Sequence, residues 1–173
     1  MSIDLDTLVA RAEITDVLTR YVHGVDRNDW DLVRRCYHPD ATDDHGMYDG
    51  GVDGLIVFLV DLAATLASTS HQLGPPHIEV DHDTARTETY CLGWYERAGS
   101  DGGRWSIAQG LRYLDHFERR ADNWAIVNRI VVLDWERLFA PGRAPEPAAS
   151  WQRGTRGDAD PSTGFLAFRT PPT

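Results

Sequence analysis

The stretch RWSIAQGLRYLDHFERRADNWAIVNRIVVLDWE, residues 104–136, decides the fold class. Two runs rich in β-branched and aromatic residues, 104–120 and 124–136, are separated only by the turn ADN, and so short a turn joins antiparallel strands. The same composition recurs upstream in two runs bounded by short turns, at 77–81 and 85–97. The second half of the chain is therefore predicted to form an antiparallel meander.

The first half of the chain has helical periodicity instead. Apolar residues spaced three and four positions apart over residues 5–25 predict an amphipathic helix, which Gly24 is expected to end. Asn28 is expected to cap a second, short helix that ends at His38-Pro39-Asp40, because proline disfavours helical geometry in the residue before it. The remaining elements expected before the sheet are a strand at 42–48, a turn at 49–51 and a helix at 54–67. Helices followed by strands predict an α+β architecture.

The C-terminal residues have a different composition. From Pro141 onward the chain is rich in Pro, Gly, Ala and Arg and shows no clear period. We expect an extended tail that packs on the body or on a neighbouring subunit. Its expected anchors are apolar, Phe165, Leu166 and Phe168.

Length and charge narrow the class of protein. A chain of 173 residues suits a single domain, and a net charge of -10 argues against nucleic acid or an anionic membrane as the partner. Two cysteines indicate a reducing compartment rather than a disulfide framework. No secretory signal is visible, and the apolar stretch at 54–67 is interrupted by Asp61 and short for a membrane span. We expect a cytoplasmic protein.

Two residues are the strongest candidates for chemistry. Asp26 lies just past the first helix, and His71 lies in SHQLG where the strands begin. If they meet in a pocket enclosed by the sheet, Asp26 would hold one ring nitrogen and make His71 a proton-abstracting base. The alternative is an exposed acid at a helix end and an unrelated loop histidine.

Two tyrosines and one arginine are further candidates. The hydroxyl groups of Tyr21 and Tyr48 could stabilise a developing enolate, although either residue could equally be a half-buried aromatic. Arg129 is predicted to share a strand face with Val127, Val131 and Leu133, where a charge needs a partner or a ligand. It could bind a leaving group or an anionic substrate end, or it could lie at a subunit interface. Arg112 and Asp134 could pair internally.

Metal and nucleotide chemistry have little support in the sequence. His38, Asp43, Asp44 and His45 are suitable metal ligands, but their spacing fits no known motif. The chain contains no phosphate-binding glycine loop, no Gly-x-Ser-x-Gly elbow and no Cys-x-x-Cys pair. No cofactor and no metal are therefore expected.

Several motifs together carry a family resemblance. They are ARAEI at 10–14, GVD at 24–26, YHPDA at 37–41, SHQLG at 70–74 and GLRYLDHFERR at 110–120. In order and spacing they resemble the SnoaL-like group of the nuclear transport factor two-like superfamily, over about residues 5–137. Within this group the chain is similar to scytalone dehydratase, bile-acid 7α-dehydratase and hexachlorocyclohexane dehydrochlorinase. The resemblance implies a cone-shaped α+β barrel at 1–137, followed by the tail at 138–173.

The resemblance also implies a reaction. Family members of this kind are cofactor-free lyases, commonly trimeric, and their aspartate and histidine fall on Asp26 and His71. The dehydratase tyrosines fall on Tyr21 and Tyr48, and the dehydrochlorinase arginine falls on Arg129. The predicted reaction is the dehydration of a polycyclic, steroid-like or aromatic hydroxy-carbonyl compound by a homo-oligomer, a trimer rather than a dimer. The alternatives are a double-bond isomerase and a non-catalytic domain that binds a small hydrophobic ligand.

Overall fold

Helices precede strands in the computed structural model, which describes residues 4–98, 103–141, 150–163 and 165. The elements of this part of the chain are α1 Leu5–Arg27, α2 Trp30–Arg35, β1 Tyr37–Asp44, β2 Asp49–Gly51, α3 Val52–Ala64, β3 Ser68–Leu73, β4 His77–Asp81, β5 Thr84–Ala98, β6 Arg104–Arg120, β7 Asn123–Phe139 and a 3₁₀ turn Gly157–Ala159. None of the described helices is both long and apolar enough to cross a bilayer.

The first helix is capped at both ends. The Asp4 carboxylate accepts a hydrogen bond from the Thr7 backbone N–H at 2.7 Å, as an N-cap residue does. The helix ends one turn later than predicted, at Arg27, with Asn28 in the left-handed conformation (φ 57°). Asn28 therefore closes α1, and Asp29 is the residue that caps α2, by accepting from the Leu32 N–H at 2.9 Å.

Gly24 has a packing role instead of the predicted terminating role. It lies buried inside α1, where α2 crosses closest to it. A Cβ atom at this position would lie 2.8 Å from a methyl carbon of Val33, closer than van der Waals contact allows. The missing side chain lets the two helices form a tight corner, and this corner fixes the last turn of α1.

The segment between α2 and β3 differs from the prediction in its boundaries. α2 ends at Arg35, and His38-Pro39-Asp40 belongs to β1, which starts five residues before the predicted strand. The predicted turn at 49–51 is the short strand β2, paired with β1. α3 is Val52–Ala64 rather than 54–67, because the Ala67 N–H already donates to the Glu96 carbonyl at 2.6 Å.

The strands form one seven-stranded sheet in the order β2-β1-β7-β6-β5-β3, with β4 also paired to β5. All neighbours are antiparallel except β1 and β7. The helices pack on one face of this curved sheet, which does not close into a complete barrel. The predicted fold class, α+β with N-terminal helices on a curved and mostly antiparallel sheet, is confirmed. The core between the two layers is built from fully buried side chains such as Ile14, Leu55 and Phe117.

The described part of the C-terminal segment contacts the ends of two helices. The Arg156 guanidinium donates to the carbonyl oxygens of Ala63 at 2.9 Å and Leu66 at 3.0 Å, at the end of α3. The Asp160 carboxylate lies 3.5 Å from the Arg27 guanidinium at the end of α1. Phe165 is 84% exposed and does not pack on the body of its own chain. The other two predicted anchors, Leu166 and Phe168, lie outside the described residues.

Candidate active site

The fold brings Asp26 and His71 into direct contact. Asp26 lies in the last turn of α1, and its Oδ1 is 2.7 Å from Nδ1 of His71 on β3. Its second oxygen accepts the backbone N–H of His71 at 2.9 Å. The two side chains are 12% and 8% exposed. A carboxylate at Nδ1 places the ring proton on that nitrogen in the neutral imidazole, so Nε2 is left as the acceptor.

The carboxylate of this pair stays ionised. Burial alone would raise the pKa of Asp26, but the hydrogen bonds and the charge attraction from His71 outweigh it and lower the pKa below its ordinary value. An ionised Asp26 stabilises positive charge on the imidazole. The pair is therefore able to take up a proton at Nε2 and hold it.

A third side chain, Tyr95, completes the surroundings of the imidazole. Its hydroxyl oxygen lies 3.2 Å from His71 Nε2, and the two rings meet edge to face at 5.5 Å. Burial raises the pKa of Tyr95, so the phenol is neutral and can donate. Gly93 makes room for it, because a Cβ there would lie 2.8 Å from the phenol Cζ.

These side chains face a small, mostly apolar cavity of about 40 Å³. Its walls come from α1, α2, α3, β3, β5 and the turn after β1. The lining residues are Tyr21, Val25, Trp30, His45, Leu59, Leu62, Ala63, Leu66, Thr69, His71 and Tyr95. An apolar chamber with a few converging polar groups is typical of a small-molecule site.

A larger cleft of about 440 Å³ lies between the α1–α2 corner and the C-terminal segment. Its walls are polar and include Arg27, Asp29, Asp31 and Asp158. Trp30 lines both the cleft and the cavity. The cleft does not include Asp26 or His71, so we place the candidate chemistry in the smaller cavity.

Tyr21 is one of the predicted residues that does line the cavity. It is 2% exposed, and burial raises its pKa, which keeps its hydroxyl protonated. The face of its ring is occupied by the Arg129 guanidinium, 4.1 Å from the ring centroid. Such a contact between a cation and an aromatic ring fixes the ring and partly solvates the charge.

Arg129 lies behind Tyr21 and is not among the cavity-lining residues. It is fully buried, and its Nε and Nη2 donate to the two oxygens of Asp115 at 2.6 and 2.9 Å. Tyr113 covers its other side at 4.3 Å. The strand face predicted for it is wrong beyond Val131, since Leu133 is 54% exposed. The charge has an internal partner, and the predicted leaving-group role has no contact to support it.

Arg112 pairs with Asp134, as the sequence suggested. Its guanidinium donates to Asp134 at 2.9 Å and to Glu88 at 2.9 Å, on the strands to either side. All three side chains are partly exposed. This cluster lies apart from the cavity and has no place in the candidate chemistry.

Tyr48 does not lie beside the Asp26–His71 pair, the candidate catalytic dyad. Its hydroxyl donates to the Gly51 carbonyl at 2.6 Å, its ring stacks on Phe58 at 5.8 Å, and it does not line the cavity. The residue of this turn that does line the cavity is His45. Its Nδ1 lies 2.9 Å from Oδ1 of the fully buried Asp43.

The residues considered as metal ligands do not converge. His38 Nε2 bonds to the Glu118 carbonyl at 2.9 Å, and the Asp44 carboxylate accepts the Gly46 N–H at 3.0 Å. Within the described ranges, no three His, Cys, Asp or Glu side chains are grouped as a metal ion requires.

Sequence reasoning missed Tyr95 and underrated His45 as a cavity residue. A signal for Tyr95 existed, because it lies two positions from Gly93, the residue opposite His71 in the β3–β5 register. Residues two apart on a strand share a face. The side chains that α3 contributes, Leu59 to Leu66, carried no comparable signal.

Comparison with known proteins establishes the family. The chain belongs to the SnoaL-like domain family, whose model matches residues 6–130. This confirms the resemblance drawn from the motifs. An uncharacterized protein of Mycobacterium tuberculosis is 31% identical over 133 residues, which cover 75% of this chain and 88% of the relative.

Solved structures share the fold at low identity. A hexachlorocyclohexane dehydrochlorinase from Novosphingobium barchaimii superposes with a TM-score of 0.73 and 21% identity, over 84% of this chain and 100% of the other. A scytalone dehydratase-like protein from Novosphingobium aromaticivorans superposes with a TM-score of 0.67 and 17% identity, over 80% and 97%. At these identities the likeness shows the fold and leaves the reaction to be argued from the site.

Proposed function

We propose that this protein is a cofactor-independent lyase that eliminates water from a cyclic or aromatic hydroxy-carbonyl compound. The observation that carries the proposal is the 2.7 Å contact between Asp26 and His71 at the wall of an apolar cavity. A buried carboxylate that orients an imidazole gives a general base without any cofactor. The dehydrochlorinase and the scytalone dehydratase-like protein with the same fold bear names of elimination reactions, which agrees with this class.

The proton transfer is the step that the geometry supports best. His71 Nε2 removes the proton next to the carbonyl, and Asp26 stabilises the imidazolium that forms. The neutral hydroxyl group of Tyr95 donates to the enolate oxygen, and Tyr21, whose hydroxyl interacts with Arg129 and Tyr37, is the second proposed donor. Proton transfer by a positioned base raises the rate by about 10²- to 10⁴-fold. Each hydrogen-bond donor to the oxyanion lowers the barrier by about 3 kcal/mol more.

The walls favour an apolar ring system as substrate. Leu59, Leu62 and Leu66 of α3 and its C-terminal extension face the dyad with no charged group between them. A volume of about 40 Å³ holds only a few water molecules, so a ring-sized molecule enters only after part of the wall, such as Trp30, which also lines the larger cleft, moves aside.

Mass spectrometry tests the proposal directly. Cyclic and aromatic β-hydroxy ketones and hydroxysteroids are incubated with the wild-type protein and scored for the loss of one water. We expect His71→Gln to abolish turnover, while His77→Gln, a change at an exposed strand histidine, leaves it intact.

The same screen separates the rival functions. A product of unchanged mass with a displaced double bond would make the protein an isomerase. Ligand binding without any turnover, equally tight in His71→Gln, would make it a binding domain and would overturn the proposal.

We also propose that the chain forms a homo-oligomer, a trimer rather than a dimer. The support is an exposed apolar area on the outer sheet, where Trp94 stacks on Phe139 at 5.3 Å and is 39% exposed. Contiguous exposed apolar patches mark interaction surfaces. Light scattering coupled to size exclusion checks this, and a monomer at micromolar concentration would contradict it.

A further inference from the structure

The cavity contains a second carboxylate–histidine pair. His45 lines the same cavity as His71, and its Nδ1 is held by Asp43 at 2.9 Å, as Nδ1 of His71 is held by Asp26 at 2.7 Å. We infer that His45 is the general acid that protonates the departing hydroxyl group. The inference rests on the proposed elimination and assigns its second proton transfer.

The turn after β1 fixes the position of His45. The His45 N–H donates to the Tyr48 carbonyl at 2.7 Å, and the Met47 N–H donates to the His45 carbonyl at 2.9 Å. Gly46 has a φ of 74°, which only glycine adopts without strain. The Tyr48 ring, stacked on Phe58 of α3, holds this turn against the helix. Tyr48 is therefore a positioning residue for His45.

Asp43 places a negative charge beside His45, because burial, which raises the pKa of Asp43, is outweighed by its interactions with His45 and Arg129, which lower that pKa below its ordinary value. It is fully buried, and it also accepts the Tyr37 hydroxyl at 2.6 Å. A carboxylate in such surroundings is stabilised by a cationic hydrogen-bond partner. Arg129, which is paired with Asp115, also attracts the charge of Asp43, and the imidazole of His45 is the hydrogen-bonded neighbour of Asp43 that lines the cavity.

The two histidines differ in the groups that surround Nε2, the ring nitrogen that is not bonded to the carboxylate. The neutral Tyr95 hydroxyl can donate to Nε2 of His71, which suits an unprotonated base. His45 also lines the cavity, and Asp43 is bonded to its Nδ1, so Nε2 is the nitrogen proposed to donate to the substrate. The titratable groups around the cavity are His45 and Asp43 of the β1 end, Tyr21 and Asp26 of α1, His71 of β3 and Tyr95 of β5.

The resulting elimination balances in atoms and charge. His71 takes the proton from the carbon next to the carbonyl, and the electron pair of that C–H bond forms the new double bond. The C–O bond to the hydroxyl group breaks, and its oxygen takes the proton from His45 Nε2 and leaves as water. The proton gained by His71 returns to His45 through solvent before the next turnover.

A leaving-group comparison tests this assignment. The probes are 3-hydroxycyclohexanone and 3-acetoxycyclohexanone, because acetate departs without needing a proton. We expect His45→Gln to lower kcat on the hydroxy ketone by about 10²-fold or more and on the acetate by less than about threefold. His71→Gln should lower both, since both need the base. Equal losses on both probes in His45→Gln, or full activity on the hydroxy ketone, would overturn the assignment.

Nitrogen-15 NMR of the histidine rings provides a readout that needs no turnover. The acid role requires a proton on Nε2 of His45 in the wild-type protein, and we expect the ring signals of His45 to change in Asp43→Asn while those of His71 do not. An unprotonated His45 Nε2 in the wild type would rule out the acid role even if neither probe is a substrate. If His71→Gln retains full activity on both probes, the proposed elimination fails instead.

Discussion

The carboxylate of Asp26 accepts two hydrogen bonds from a single residue, the ring Nδ1 and the backbone N–H of His71. The first bond orients the imidazole, and the second ties strand β3, at the edge of the sheet, to the end of α1. One acid therefore fixes both the base and the backbone that carries it. Changes at Asp26 should affect activity and stability together.

Asp26→Asn should lower kcat by about 10²- to 10⁴-fold with KM changed only a few-fold, because the amide no longer stabilises the imidazolium. It should also reduce the free energy of unfolding by about 1–3 kcal/mol. Steady-state kinetics and urea denaturation measure the two effects. Asp16→Asn, an exposed carboxylate on the same helix, is the matched control and should change neither.

Tyr95→Phe should lower kcat/KM by about tenfold, because it removes the neutral hydroxyl 3.2 Å from His71 Nε2. Gly93→Ala should have a similar effect, since its methyl group displaces the Tyr95 ring. Tyr90→Phe is the control, because Tyr90 lies on the same strand and is 61% exposed. Equal activity of Tyr95→Phe and Tyr90→Phe would remove Tyr95 from the site.

Arg129→Met should destabilise the protein by about 3–5 kcal/mol, because it leaves the buried Asp115 carboxylate without its partner. The double change Arg129→Met with Asp115→Leu should recover most of the loss. Thermal unfolding monitored by circular dichroism measures both. A leaving-group role for Arg129 would be supported if Arg129→Lys lost activity at unchanged stability.

The C-terminal segment should lose order in acid. Hydrogen bonds from Ser162 and Thr155 lower the pKa of Asp160 to about 2. The ionised carboxylate contributes stability above the ordinary carboxyl pKa of about 3.9, and this contribution is lost as the pH falls through the lower folded value. Hydrogen exchange, corrected for its intrinsic rate, should show the Thr155 and Ser162 amides losing protection between about pH 4 and pH 2. Protection that is unchanged at pH 2 would contradict this, and Asp158→Asn, in the same segment, should behave as the wild type.

Arg156→Met should release the same segment from α3. It removes the donors to the Ala63 and Leu66 carbonyls, each worth about 1 kcal/mol, so proteolysis within 150–163 should accelerate about 10- to 100-fold at neutral pH. Arg153→Met, at an exposed position nearby, should be cleaved like the wild type. Equal cleavage of the two variants would show that Arg156 does not hold the segment.

The fold class and the contact between Asp26 and His71 could be predicted, because periodicity gives element types and separate motifs agree in order. The boundaries of β1 and β2 could not, since they depend on the pairing of β1 with β7 and of β2 with β1, and not on local propensity. Gly24 shows the limit of a local rule. Its lack of a side chain serves the contact with Val33 across a helix corner, a tertiary relation that no local pattern contains.

The positions of Arg129 and Tyr48 away from the pair Asp26 and His71 have a geometric cause. Arg129 meets Asp115 directly across β6 and β7 only because a bulge between His116 and Phe117 shifts the register by one residue. Without it Arg129 would face Leu114, and a one-residue slip moves every side chain to the other face. At the β1–β2 turn, the tight bend from His45 to Tyr48 presents the histidine to the cavity and the tyrosine to α3.

Trp30 belongs to the walls of both the small cavity and the larger cleft. A space of about 40 Å³ cannot hold a ring-sized guest, so under the proposed function the wall opens and recloses once in each cycle. The frequency of that opening is then an upper bound on turnover, however fast the bond-breaking step becomes.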